Sequence, residues 1–392
     1  MKANFGFSGA AARQFGRWLV LGLCLAVLGP WAREAWQFFL LPAFSPFVAG
    51  CGALAARTAG AVALLALPVL LLAVFVRRGF CRFLCPTGLL LEQVARLRGG
   101  NVPEVPKNFP RLNSAIALLT LGGAAFGYPL FLWLDPLALF NGFLGALRWP
   151  LQLATLVTGL GFGLVVLLEL LRPGLWCARL CPLCATQEWL VWPRERLQRE
   201  PPPIAGRRAF LAAGGGVAGA WLVGVVRGKT QPPLRPPGAL GEEKISGVCL
   251  RCGNCERACP AQIIRPDLGA TGLANLLTPT LHFDADYCRE TCTKCGEVCP
   301  SGALARLPLE RKRRHVIGRA RVDLDICLLA AGQECTECIK SCPCEALAVQ
   351  SNDGGFSTQP VLDPKKCNGC GACECNCPVR PRRAIRVTPV SL

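Results

Sequence analysis

Apolar residues fill the first part of this chain in long runs, and polar residues gather in short arginine-rich breaks between them. Five runs stand out: roughly Arg17 to Trp31, Gly60 to Val76, Asn113 to Leu134, Leu153 to Leu171 and Ala209 to Val226. A helix that spans a bilayer needs about 20 mostly apolar residues. A stretch such as AVALLALPVLLLAVFV (61–76) fits a buried core helix poorly in both length and hydropathy. The pattern therefore predicts about five transmembrane helices. The first is short unless it continues through Trp36 and Phe39, and the fifth is glycine-rich and only weakly hydrophobic. Beyond residue 243 the long runs stop and cysteine clusters take their place.

The basic residues orient these helices. Arg77, Arg78, Arg82, Arg96, Arg98, Lys107 and Arg111 follow the second run, and Arg172, Arg179, Arg194, Arg196, Arg199, Arg207 and Arg208 follow the fourth. Only Arg33, Arg57 and Arg148 lie on the opposite side. Positive loops stay in the cytoplasm, so the N-terminus is expected inside and the C-terminal part outside. The fifth run begins as GRRAFLAAGGGVAGAWLVGV (206–225), and its paired arginines, Phe210 and Leu211 resemble a twin-arginine export signal. Such a signal moves a folded, cofactor-loaded domain across a membrane. Ala-Gly-Ala (218–220) lies inside the apolar run, so the segment is expected to remain as an uncleaved anchor.

The net charge of +18 comes mostly from the arginine-rich breaks, which excludes nucleic acid as the partner that explains it. The 25 cysteines call for a specific chemistry. After the proline-rich KTQPPLRPPGALGEE (229–243), four clusters appear: Cys249, Cys252, Cys255 and Cys259; Cys288, Cys292, Cys295 and Cys299; Cys327, Cys335, Cys338 and Cys342; Cys367, Cys370, Cys373 and Cys377. Each ends in Cys-Pro, the spacing of bacterial [4Fe-4S] ferredoxins. Three thiolates in a tight loop hold one cubane, and the fourth reaches its partner's cubane. Which motif pairs with which stays open. Zinc ribbons use a two-plus-two spacing, and disulfides fit badly with cysteines packed so closely four times over. The second and third motifs have longer first gaps, so Cys327 is the loosest ligand assignment. Cys344 and Cys375 are surplus, as small buried or tuning thiols. RKRR (311–314) reads as a solvated loop. Residues 241–392 carry 20 Lys/Arg and 17 Asp/Glu, so a domain loaded with anionic clusters becomes net acidic.

Two shorter motifs follow the second and fourth runs. CRFLCPTG supplies Cys81 and Cys85, and CARLCPLC supplies Cys177, Cys181 and Cys184. Cys81, Cys85, Cys177 and Cys181 suffice for one further cluster or another thiophilic metal if the two helices are neighbours; a redox-active or buried thiol set is the alternative. Cys24 and Cys51 read as packing residues. Asp135 and Glu169 are membrane-edge acids able to accept quinol protons, although Asp135 could start a turn before Pro136 and Glu169 could pair with Arg172. His282 and His315 both fall after the fifth run, so no haem is expected within the membrane part.

The first 200 residues, with their paired Cys-x3-Cys-Pro motifs, resemble the NapH-type membrane ferredoxin-like proteins of periplasmic nitrate reductase systems. Residues 206–392, with RRAFL and four cluster motifs, resemble the NapG and methylamine-utilisation ferredoxin-type proteins of the polyferredoxin family. The resemblance implies a membrane helical bundle (1–205), an anchor (206–228), a linker (229–243) and an α+β polyferredoxin domain (244–392). It also implies electron flow from the membrane quinone pool to a periplasmic reductase or cytochrome, with the twin-arginine translocase as export partner. The cytoplasmic ferredoxin segment that NapH-like proteins usually carry is replaced here by RERLQREPPP (194–203). A cluster at the inner face is separated from clusters outside by about 30 Å of hydrocarbon, so electrons enter near the outer face or cross through a partner. A maturation factor for a periplasmic metalloenzyme, and a membrane redox sensor, are the competing functions.

Overall fold

The computed structural model describes residues 9–29, 31, 35–57, 61–97, 112–148, 153–195, 207–227, 232–352 and 357–390. Arg33, Arg98, Lys107, Arg111, Arg196 and Arg199 of the orienting set lie outside the described residues. The chain divides into two compact units. One comprises Met1–Gly228, Gly241–Asn254 and Pro300–Ala303; the other comprises Lys229–Leu240, Cys255–Cys299 and Leu304–Leu392.

The first unit is helical: α1 (Gly9–Leu28), α2 (Ala35–Ala43), α3 (Pro46–Ala56), α4 (Leu67–Phe75), α5 (Gly79–Phe83), α6 (Pro86–Leu97), α7 (Leu112–Ala125), α8 (Pro136–Arg148), α9 (Leu153–Leu171), α10 (Pro182–Glu195), α11 (Arg207–Arg227) and α12 (Glu242–Val248). Here the five expected spans are corrected. Among the described residues one helix, over Arg208–Val225, is long and apolar enough to cross a membrane; the other described apolar stretches, Gln14–Leu28 and Gly159–Leu171 among them, are shorter. The physical reason is visible in the chain. The Gly60–Val76 run splits into a 3-10 turn (Ala61–Ala66) and α4, with Pro68 in the first turn of the new helix, where its missing N–H costs nothing. The Asn113–Leu134 run ends as a helix at Ala125. Gly127 takes a φ of 84°, and the Tyr128 amide returns to the Gly123 carbonyl at 2.9 Å. Glycine also explains the weak hydropathy of α11. Gly216 faces the Leu119 carbonyl and Gly122 faces the Ala213 carbonyl, so α11 and α7 approach backbone to backbone where a Cβ would collide.

The second unit continues with α13 (Asn254–Ala258), which starts at the unit boundary, then α14 (Lys294–Glu297), α15 (Leu309–Arg314), α16 (Glu337–Lys340) and α17 (Ala372–Asn376). Its strands are β1 (Ile264–Pro266), β2 (Pro279–Leu281), β3 (Arg319–Val322), β4 (Leu347–Asn352), β5 (Ser357–Leu362) and β6 (Ile385–Thr388). They form three antiparallel pairs, β1 with β2, β3 with β6 and β4 with β5. The plan repeats. A hairpin lies between the first and second cysteine motifs and another between the third and fourth. Outside each hairpin an outer pairing closes the half: the bridge Ala239–Leu304 in one, β3–β6 in the other. Of the ten buried members of the core around β3, β4 and β6, four are cysteines: Cys327, Cys367, Cys373 and Cys377. So small a domain builds its interior around sulfur.

Candidate metal centres

The first three four-cysteine motifs each end in a sharp turn that sends the chain toward a strand or bridge. The third residue after the last cysteine adopts left-handed backbone at Gln262 (φ 51°), Gly302 (φ 74°) and Glu345 (φ 47°). The Gln262 and Glu345 amides close these turns on the carbonyls of Cys259 and Cys342, each at 3.2 Å. The turn leaves Cys259 free to face the next motif. Cys259 lines one small cavity with Cys288, Cys292 and Cys295, among Ile264 and Leu281. The second half repeats this arrangement. Cys338 has Cys327, Cys335 and Cys377 as electrostatic neighbours, while Cys342 sits with Cys367, Cys370 and Cys373. Sequence spacing left the pairing open; the fold joins the third motif to the fourth and brings Cys259 of the first to the second. Cys327, the loosest assignment, is buried in its set.

The chemistry of these sets fits iron-sulfur clusters. Burial pushes the Cys295 thiol up to about 12, with Cys288, Cys292 and Cys259 adding to the rise. Burial likewise raises Cys370 and Cys338 to about 11 and lifts Cys373 further, each with its cysteine neighbours contributing. Thiols crowded in this way hold their protons until a cation replaces them, and iron is such a cation. Among the described residues no three Cys, His, Asp or Glu side chains converge on a point that would hold a single ion. Backbone amides add support: Leu304 donates to Cys299 Sγ and Ala346 to Cys342 Sγ, each at 3.3 Å.

Two features escaped the sequence reading. Lys312, placed in a solvated loop by its RKRR context, lies on α15 and is 3% exposed. Its ammonium opposes the upward shift that burial imposes on the Cys288 thiol, so a fixed cation sits against the second motif. Cys344, a surplus thiol, donates to Glu290 Oε1 at 3.0 Å; burial and that carboxylate push it up to about 12.

In the first unit the two Cys-x3-Cys-Pro motifs have matching geometry. A left-handed residue, Arg78 (φ 54°) or Gly174 (φ 79°), ends the incoming helix. One short turn follows, α5 or the π-helical Trp176–Leu180, and the Cys85 and Cys181 amides close it on the Phe80 and Trp176 carbonyls at 2.9 Å. Pro86 and Pro182 then start α6 and α10. The two turns meet. Cys81, Cys85, Cys177 and Cys181 line one cavity of about 360 Å³, together with Cys184. Gln187 Nε2 donates to Cys81 Sγ at 3.1 Å, and the Gly88 amide to Cys85 Sγ at 3.3 Å. Ion pairs Arg17–Glu92 (2.6 Å) and Arg78–Glu188 (2.5 Å) flank it. Cys184 takes the position that Gly88 holds in the first motif, and sequence reasoning did not count it among the ligands.

The two quinol-site candidates have different surroundings. Asp135 is fully buried; it accepts from Ser45 Oγ at 2.5 Å and from the Leu137 and Ala138 amides at 3.0 and 3.1 Å. That is an N-cap for α8. Glu169 lines the cysteine cavity, with Oε1 accepting from the Gly174 amide at 2.6 Å and Oε2 unpartnered.

Known proteins share both halves of this description. Residues 248–303 match the family described as 4Fe-4S dicluster domain, and residues 58–103 and 154–200 each match the family described as 4Fe-4S binding domain. The second match falls on both Cys-x3-Cys-Pro turns. The class these sets define is the iron-sulfur polyferredoxins, proteins that carry electrons. Within it, the chain is 35% identical over 218 residues to the ferredoxin-type protein NapG of Escherichia coli (strain K12), covering 50% of this chain and 91% of NapG. It is 37% identical over 169 residues to the methylamine utilization ferredoxin-type protein MauM of Methylophilus methylotrophus, covering 41% of this chain and 72% of MauM. The chain belongs to the NapG and MauM family of ferredoxin-type proteins. No solved structure matches it.

Proposed function

We propose that this protein is a membrane-anchored electron carrier that takes electrons from quinol and passes them through four [4Fe-4S] clusters to a periplasmic redox partner. The observation that carries the reading is the repeated crossover set, three cysteines of one motif with the fourth of another, seen at Cys288, Cys292, Cys295 with Cys259 and twice more in the second half. The first motif, Cys249, Cys252, Cys255 and Cys259, repeats the same spacing and supplies a fourth set by sequence. Bound clusters of this kind supply reversible one-electron transfer. The protein's own part is to hold the sets close together, exclude water from their sulfurs and direct amides at them.

Anchoring through α11 is supported by its apolar length and by the exposure of Phe210, Leu211, Trp221 and Leu222 on it. Further exposed apolar side chains on the first unit, among them Leu64, Leu71, Phe75, Leu160 and Leu164, suit a hydrocarbon surrounding. The first unit would then be the NapH-like partner fused to the electron carrier, with a cluster held by Cys81, Cys85, Cys177 and Cys181. Glu169, whose Oε2 has no hydrogen-bond partner beside those cysteines, is the better placed of the two acids to accept a quinol proton. The α11 sequence is consistent with twin-arginine export of the polyferredoxin domain to the periplasm. Stopped-flow reduction of the clusters by a quinol analogue in membranes tests the reading. Fast reduction supports it, and clusters that dithionite reduces but quinol does not would refute the donor.

A further inference from the structure

We infer that electrons cross between the two halves of the second unit at one junction, where Cys288 of the second motif meets Cys370 of the fourth, and that Arg383 holds this junction shut. The inference rests on the cluster assignment proposed above. The Cys288 amide donates to the Cys370 carbonyl at 2.9 Å, so a single hydrogen bond connects the backbones of two cysteines that belong to different pairs. The Phe283 ring lies against Gly371, whose φ of 88° and lack of a side chain permit the approach; a Cβ there would enter the ring. Arg383 binds both sides. Its guanidinium donates to the Phe283 and Asp284 carbonyls ahead of the second motif, at 2.6 and 2.5 Å, and to the Glu374 carbonyl within the fourth, at 2.5 Å.

This contact sets an order that differs from the order along the chain. The second motif communicates with the fourth, which leaves the third motif at the far end of the route. There residues 331–334 are exposed and Cys335 is half-buried, as an exit to an external partner requires. A cluster held by the second motif would be oxidised by one electron and a cluster held by the fourth reduced by it, with the thiolates remaining as ligands. No bond forms or breaks and no proton moves.

The test uses the full chain, reduced, with iron analysis and EPR. The fourth-motif signal is identified as the one lost in Cys373→Ser. Besides its coupling to the paired third-motif centre, it should show a second magnetic coupling that disappears in Cys259→Ser, which removes the second-motif centre, and persists in Cys249→Ser. Arg383→Ala keeps every ligand and serves where a ligand variant fails to fold. It should retain full iron while losing the second coupling, and electrons supplied by a photoreductant should distribute between the halves more slowly. Full iron with the second coupling retained in Arg383→Ala, or a fourth-motif signal that responds to Cys249→Ser instead of Cys259→Ser, would overturn the junction. Preparations lacking the clusters altogether would refute the cluster reading on which it rests.

Discussion

Lys312 shows how a single side chain can matter more than its surroundings in sequence suggest. Within RKRR, helical periodicity turns one of four cations inward, and a window of charges does not reveal which one. A buried ammonium against Cys288 favours the reduced, more negative form of whatever centre that cysteine holds. Lys312→Met should therefore lower the midpoint potential of one centre and leave the others in place, as read by an EPR-monitored redox titration. The crossover ligand gives a second residue-scale expectation. Cys259→Ser should cost the second-motif centre, about four irons, and spare the fourth and third motifs. Iron analysis with EPR distinguishes that outcome from loss of the whole domain. The crossover was legible as a principle in the Cys-Pro spacing, while the choice of partner depended on where the left-handed turns at Gln262 and Glu345 direct the chain.

At the scale of elements, glycine in α11 reads as weak hydropathy but acts as a packing surface. Gly216→Leu should push α11 away from α7 at the Leu119 carbonyl and cost about 1–3 kcal/mol, measured by unfolding in detergent. The same helix carries the paired arginines. With both replaced by lysine, a reporter fused after Leu392 should remain in the cytoplasm, whereas the wild-type fusion should report a periplasmic location. An unchanged location would make α11 an ordinary span. Hydropathy overstated the second and third runs because proline and glycine interrupt them. Pro68 restarts a helix inside the second run, and Gly127 ends the third at a turn, so continuous apolar composition does not yield continuous helix.

Across the whole molecule, the described cysteines fall into sets that predict total iron. Under the proposed four-cluster assignment the motifs would hold about 16 irons, and the cavity of the first unit would add about four if it holds a cubane. Replacing Cys81 and Cys177 together by serine should remove only that last increment. Unchanged iron with lost quinol-dependent reduction would instead mark the cavity as a site of thiol chemistry.

Cluster type and the division into an apolar half and a cysteine-rich half are local properties. Thiolate spacing within a loop decides what a loop can bind, so these were legible from the chain alone. Pairing is not local. Cys377 meets the third motif because β6 pairs with β3 across more than sixty residues, and Cys81 meets Cys177 because two distant turns pack against each other. Asp135 reads from sequence either as a quinol acid or as a turn start before Pro136, and the fold places Ser45 and two amides around it. Only tertiary structure decides such matters, because burial and partners arise from chain segments that sequence proximity does not connect.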